Sequence, residues 1–217
     1  MDEKRTAEII SRLKQKYPDA ECALRYEGEP WKLLVMAILS AQCTDARVNI
    51  VSETLFSHIT DVGKMADCDI SELESYIKSC GLYKTKAKNI KAACGLLRDK
   101  YAGEVPSDMD MLLGLPGVGR KIANLIRGDI FSLPAIVCDT HCIRLAGRLG
   151  FCSPDEKNPQ KIEKILIKEI PPKEQSDFCH RLVLFGRDVC TARSPSCPAC
   201  ELLDLCGGAG RGDAQTF

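Results

Sequence analysis

SDMDMLLGLPGVGRKIANLIRGDI, residues 107–130, sets two helical patterns end to end across a turn. The first, residues 107–113, is short and stops at Gly114. The second, residues 120–130, carries Ile122, Ala123, Leu125 and Ile126 on one side, the 3–4 spacing of a helix with a single buried face. Between them, Leu115-Pro116-Gly117-Val118-Gly119-Arg120-Lys121 holds two glycines one residue apart. Such a pair lets the backbone turn sharply and come close to a partner with no side chain in the way.

The same period continues outward in both directions. Ile9, Ile10, Leu13 and Tyr17 repeat at helical spacing until Pro18. Pro30 opens a second helix with Leu33, Leu34, Ala37, Ile38 and Ala41 inward. Thr44 caps a third, with Val48, Val51 and Leu55 inward. Asp69 or Ser71 starts a fourth, carrying Leu73, Tyr76 and Ile77 and closing at Gly81. Ile90, Ala93, Leu97 and Tyr101 line a long basic helix. Further patterns fall at 140–149, 159–170 and 175–187, with Pro171-Pro172 separating the last two. Only Ala135-Ile136-Val137 reads as a strand, and it is too short to build a sheet. The expected fold is all-α, with a domain crossing near 132–136 and a glycine-rich, disordered tail at 207–217.

Composition narrows the class. The 217 residues include 30 Lys or Arg and 30 Asp or Glu, and the 45% hydrophobic content supplies a core that excludes whole-chain disorder. The longest apolar stretch, Leu33 to Ala41, is too short to span a bilayer, and the start MDEKRTAE lacks the apolar core of a signal peptide. The chain reads as a soluble cytoplasmic protein, suited to work at a bacterial or archaeal nucleoid. Charge is unevenly spread: from Lys84 to Arg148 eleven basic residues face six acids. A basic middle of this kind steers a polyanion, although charge runs also mark ordinary solvated helix faces.

Of thirteen cysteines, nine (Cys22, Cys43, Cys68, Cys80, Cys94, Cys138, Cys142, Cys152 and Cys179) sit in apolar or helical surroundings and read as core packing. The other four form Cys190-x6-Cys197-x2-Cys200-x5-Cys206. Four thiolates at this spacing suit one tetrahedral metal or one cubane, and spacing alone does not separate zinc from iron–sulfur. In the hairpin, N–H groups ahead of a helix N-terminus point at an anion such as a phosphate. This is the helix-hairpin-helix pattern, which grips the DNA backbone without reading sequence; an ordinary tight turn is its plain alternative. Lys121 lies in the first turn of its helix, where the dipole, Arg120 and partial burial would all lower its pKa toward that of a nucleophile. A solvated lysine, and an Asp139 that merely caps the next helix, are the bland readings of the same residues.

Together these motifs resemble the endonuclease III family of helix-hairpin-helix DNA glycosylase/AP lyases, from about residue 5 to Cys206. The resemblance rests on Leu39-Ser40-Ala41-Gln42-Cys43-Thr44-Asp45, Gly81-Leu82-Tyr83-Lys84, Gly103-Glu104-Val105-Pro106, the hairpin, Val137-Cys138-Asp139-Thr140-His141 and the four-cysteine loop. It implies a six-helix barrel over 23–135 and an iron–sulfur domain built from 1–22 and 136–206, with a cleft between them. It implies a [4Fe–4S] cluster on Cys190, Cys197, Cys200 and Cys206.

For catalysis it implies Lys121 as the Schiff-base nucleophile and Asp139 as its partner across the cleft. Gln42 would fill the gap left by a flipped base and Leu82 would wedge the opposite strand. Gly117, Val118, Gly119, Arg120, His141 and Arg193 would contact DNA. The implied substrates are double-stranded DNA with oxidised pyrimidines of the thymine glycol type or abasic sites, handled by a monomer. Lys121 separates the chain from the adenine-specific mismatch glycosylase, which lacks that lysine. Two other readings stay open: a related glycosylase for mismatched thymine or alkylated purines, and a non-catalytic DNA-binding redox sensor. The Cys190–Cys197 loop departs from the family in having Arg193 as its sole basic residue, beside the acidic Asp188.

Overall fold

The computed structural model describes residues 2–208. It contains eleven α-helices among them and no strand: α1 Glu3–Lys16, α2 Pro30–Leu39, α3 Asp45–His58, α4 Val62–Asp67, α5 Ile70–Ile77, α6 Tyr83–Tyr101, α7 Met109–Leu113, α8 Arg120–Asp129, α9 Thr140–Arg148, α10 Pro159–Glu169 and α11 Gln175–Asp188. No helix among the described residues is long and apolar enough to cross a membrane. The chain divides into two compact units, Cys22–Phe131 and a second built from the segments before and after it.

The Cys22–Phe131 unit is organised by α2 and α6. Every residue of α2 from Trp31 to Leu39 is buried, so this helix lies inside the core rather than on its surface. Helix α6 packs against α2, α4 and α5, while α8 packs on α2 and α7. One continuous apolar cluster runs from Leu24 through Leu33, Leu55, Leu73, Ile90 and Leu97 to Ile126. Side-chain caps set several helix starts: Thr44 accepts from the Arg47 N–H, Asp61 from Lys64 and Asp69 from Ser71 and Glu72.

Two local expectations need correction, and one helix was not foreseen. Helix α7 begins at Met109 rather than 107, because Asp108 takes the Asp110 and Met111 N–H groups and acts as the cap. Helix α4 has six residues, too few to show a period, and no pattern in the chain signals it. Ala135-Ile136-Val137 pairs with no strand; all three are buried, and the Val137 N–H donates to Cys179 Sγ at 3.2 Å. Of the predicted tail, Gly207 and Gly208 are described, and the remainder lies outside the described residues.

In the second unit α1 packs on α11, and α9 packs on α10 and α11. Phe151 meets Phe178 edge to face at 5.8 Å. Arg181, 2% exposed, reaches Glu174 at 3.1 Å and Asp177 at 2.9 Å, so its buried charge is neutralised within the unit. Gly186 of α11 has no room for a side chain: a Cβ there would stand 2.5 Å from His141 Nδ1. From Cys190 to Gly208 the only buried residue is Leu202, and this stretch is held by guanidinium groups instead. Arg5 donates to the carbonyls of Leu205 (2.6 Å) and Leu149 (3.0 Å), and Arg12 to Glu201 O (2.7 Å) and Asp204 (2.6 Å).

Candidate active site

The α7–α8 hairpin is closed by main-chain bonds, Leu115 N–H to Leu112 O and Val118 N–H to Leu115 O, both 3.1 Å. Its two glycines answer different needs. Gly117 has φ +80°, and a Cβ there would stand 2.9 Å from the Asn89 Cβ on α6, so the fold itself requires glycine. Gly119 has φ −95°, open to any residue, and a Cβ there would meet nothing within 4 Å. Neither backbone strain nor a close neighbour among the described residues calls for glycine at 119. Gly119 is also the N-cap of α8 and offers no side-chain cap, so the positive end of the helix dipole lies at the turn.

Lys121 and Arg120 are both exposed in that first turn. The partial burial expected for Lys121 is not found. Val118 is 7% exposed and its N–H is spent inside the hairpin. Its side chain braces the turn from within.

Gln42 and Leu82 share an unusual property. Both are exposed, and both have left-handed backbones, φ +53° and +48°. Such a conformation costs a non-glycine residue about 1–2 kcal/mol, and strain of this kind gathers at functional sites. Leu82 is 59% exposed, among the most exposed large apolar side chains of the chain.

The remaining expected residues belong to the other unit. Asp139 caps α9, its Oδ1 accepting from the Cys142 N–H at 2.7 Å. The plain N-cap reading of Asp139 is therefore correct, and it orients the carboxylate. His141 is half-buried over Gly186, with Nδ1 3.2 Å from the Arg144 guanidinium. Arg193 is exposed in the Cys190–Cys197 loop. Asp188 accepts from the Tyr17 hydroxyl at 2.9 Å and stands 3.9 Å from the Lys16 ammonium, which offsets part of the negative charge it brings to that loop.

Cys190, Cys197, Cys200 and Cys206 line a single cavity whose other walls include Leu149, Phe185, Val189 and Leu203. Among the described residues no three metal-binding side chains stand close enough for one ion. Four soft thiolates around one cavity are the donor chemistry that an iron–sulfur cluster or a zinc ion takes, so the residues present fit a metal centre. Arg148, which sequence reasoning passed over, donates to Cys190 Sγ at 3.3 Å and to the carbonyls of Thr191 (2.7 Å) and Ala192 (2.9 Å). A cation against a thiolate is the kind of outer contact that orients and tunes such a centre. The other nine cysteines are free, and burial pushes the Cys22 and Cys94 thiols up to about 12, as inert core groups require.

A bare glycine turn at an uncapped helix start, with an exposed lysine beside it, defines a helix-hairpin-helix protein. Residues 35–172 match the HhH-GPD superfamily base excision DNA repair protein family. Endonuclease III of Bacillus subtilis (strain 168) is 43% identical over 197 residues, covering 91% of this chain and 89% of that protein. Endonuclease III of Escherichia coli (strain K12) is 37% identical over 206 residues, covering 95% and 96%. A solved trapped endonuclease III–DNA covalent intermediate superposes with a TM-score of 0.90 at 44% identity, covering 96% of this chain and 97% of that one. A thermostable thymine-DNA glycosylase shares the fold at a TM-score of 0.86 and 22% identity, with 95% of this chain and 97% of that one covered. The chain belongs to the endonuclease III family within the HhH-GPD superfamily. It is a DNA-binding glycosylase/AP lyase of base-excision repair.

Proposed function

We propose that Lys121 is the nucleophile and Asp139 its proton-handling partner, acting on duplex DNA that carries an oxidised pyrimidine, thymine glycol in type, or an abasic site. The observation that carries this is the exposed Lys121 amine in the first turn of α8, beside a glycine the fold does not need. Backbone phosphate held at the hairpin would bring the sugar of a flipped nucleotide to that amine. The Lys121 amine attacks C1′ as the base leaves with the electron pair of the glycosidic bond; the C1′–O4′ bond then opens, the proton shed by the amine passing to O4′, and the protonated Schiff base forms. Removal of a C2′ proton then expels the 3′ phosphate, and water releases the lysine. Asp139, oriented by its cap bond, takes the lysine proton and balances positive charge on the sugar. Support comes from the related endonuclease III that was trapped as a covalent DNA intermediate.

Gln42 and Leu82 fill the gap and part the opposite strand; their exposed, strained backbones suit residues that enter the duplex. Cys190, Cys197, Cys200 and Cys206 would hold a [4Fe–4S] cluster, which supplies a redox-active centre and a structural staple. Residues 23–135 act as the barrel and 1–22 with 136–206 as the cluster domain, and the protein works as a monomer. Borohydride trapping on a thymine glycol duplex tests the chemistry. Wild type is expected to form a covalent adduct and Lys121→Ala none. Trapping by wild type only on an abasic duplex would keep the lyase and overturn the base preference; trapping by Lys121→Ala would overturn the assignment of the nucleophile.

A further inference from the structure

Lys86 is the most deeply buried lysine of the chain, 4% exposed near the start of α6. Its ammonium donates to two main-chain carbonyls, Leu39 O at 2.8 Å and Cys80 O. The titratable groups close to it are the Cys43 and Cys80 thiols, and burial pushes its pKa down. Among the described residues no carboxylate compensates the charge, and a buried ion without a counter-ion costs several kcal/mol. The two carbonyls explain how it is tolerated. Leu39 ends α2 and Cys80 ends the 3-10 turn Lys78–Cys80, so both are helix C-ends with unspent acceptors and partial negative charge.

The clasp draws its significance from the residues next along the chain. Three positions beyond Leu39 stands Gln42, and two beyond Cys80 stands Leu82. These two carry the left-handed backbones described above, conformations that persist only where the surroundings over-determine them. One ammonium thus pins the roots of both strained loops. We propose that Lys86 is a positioning residue, whose buried ammonium fixes the Gln42 loop against the Leu82 loop at the separation needed to open a duplex. This rests on the reading that Gln42 and Leu82 enter the DNA.

The same helix carries its own control. Lys91 donates to Ala66 O and Cys68 O, both at 2.6 Å, in the same two-carbonyl manner at the end of α4. That clasp leads to no strained, exposed residue. Losing it removes comparable bonds without touching a DNA-entering loop.

The test uses the full chain with its cluster loaded, and an abasic site presented either in a duplex with 2-aminopurine opposite or in single-stranded DNA. Lys86→Met keeps the apolar stem and removes the ammonium; Lys86→Gln, with one amide donor group, serves if the first variant does not fold. For either, duplex cleavage and the 2-aminopurine unstacking signal are expected to fall about tenfold or more, the scale of loss that small misplacements cause. Single-strand cleavage, which needs no wedge, is expected to stay near wild type. Lys91→Met is expected to lower the melting temperature and leave the duplex-to-single-strand ratio unchanged. Equal ratios for the Lys86 and Lys91 variants would overturn the proposal. Gln42→Ala and Leu82→Ala separate the two layers of inference. If they keep the duplex preference, the loop reading fails; if they lose it while the Lys86 variants keep it, Lys86 positions nothing.

Discussion

The two units of this chain are stable for different reasons. Cys22–Phe131 encloses one apolar cluster around a helix buried on every side, and its polar ties, such as the Lys86 and Lys91 clasps, are details on that base. The stretch Cys190–Gly208 in the other unit buries Leu202 alone and hangs from Arg5, Arg12 and Arg148. Bonds of this kind work against the large entropic cost of ordering the loop. The contrast teaches why four thiolates gather there. A segment with almost no core needs a staple, and the cluster proposed there would give one that hydrophobic burial does not.

The largest effect should come from breaking that staple. In Cys200→Ser, amide exchange from 190 to 208 is expected to become fast while α2 and α6 keep their protection. For comparison, Leu34→Ala in the other unit is expected to cost about 2–5 kcal/mol and to leave exchange at 190–208 unchanged. If Cys200→Ser leaves the segment protected, the guanidinium ties suffice and the contrast collapses.

The hairpin offers a sharper version on a smaller scale. Gly117→Ala must accept φ +80° and a contact with Asn89, so it is expected to lower stability by about 1–3 kcal/mol. Gly119→Ala meets open space and is expected to melt as wild type does, while binding abasic duplex more weakly. Thermal melts and a binding isotherm on both variants decide this; a stability loss at 119 would remove the case for an outside partner there.

The smallest effect is electrostatic. Burial alone would raise the Glu174 carboxyl, yet hydrogen bonds from Lys14 and Arg181 outweigh it and hold the pKa below 4.5. A depressed acid contributes stability that is complete above 4.5 and fades as pH falls through the lowered value. Wild type should therefore lose its melting advantage over Glu174→Gln only below about pH 4.5, by less than about 1 kcal/mol. An advantage that persists at lower pH would show packing, not charge, to be the cause.

What the sequence revealed was local. The glycine pair and Asp139 are short-range signals, a backbone turn and a helix cap, and both are visible in a few adjacent residues. The four-cysteine spacing is equally local, while Arg148, which completes its surroundings, comes from 42 residues earlier and left no trace. The basic count from Lys84 to Arg148 misled in part, because a count carries no direction. Lys86 and Lys91 spend their charge on carbonyls, and Arg98 pairs with Asp67 and Asp99. A signal for Lys86 existed: it falls in phase with Ile90, Ala93 and Leu97, the buried stripe of α6. The exposure of Lys121 was not legible, since burial depends on elements far away in sequence.

The bond from Arg5 to Leu205 spans 200 positions and has a consequence in time rather than in space. On a ribosome adding 5–20 residues per second, α1 would wait roughly 10–40 s for its partners near Leu205 to be made. Residues 22–131 can gather their core well before that. Ile9, Ile10 and Leu13, buried in the finished protein, must stay soluble meanwhile, which leaves α1 open to a chaperone or a protease during synthesis.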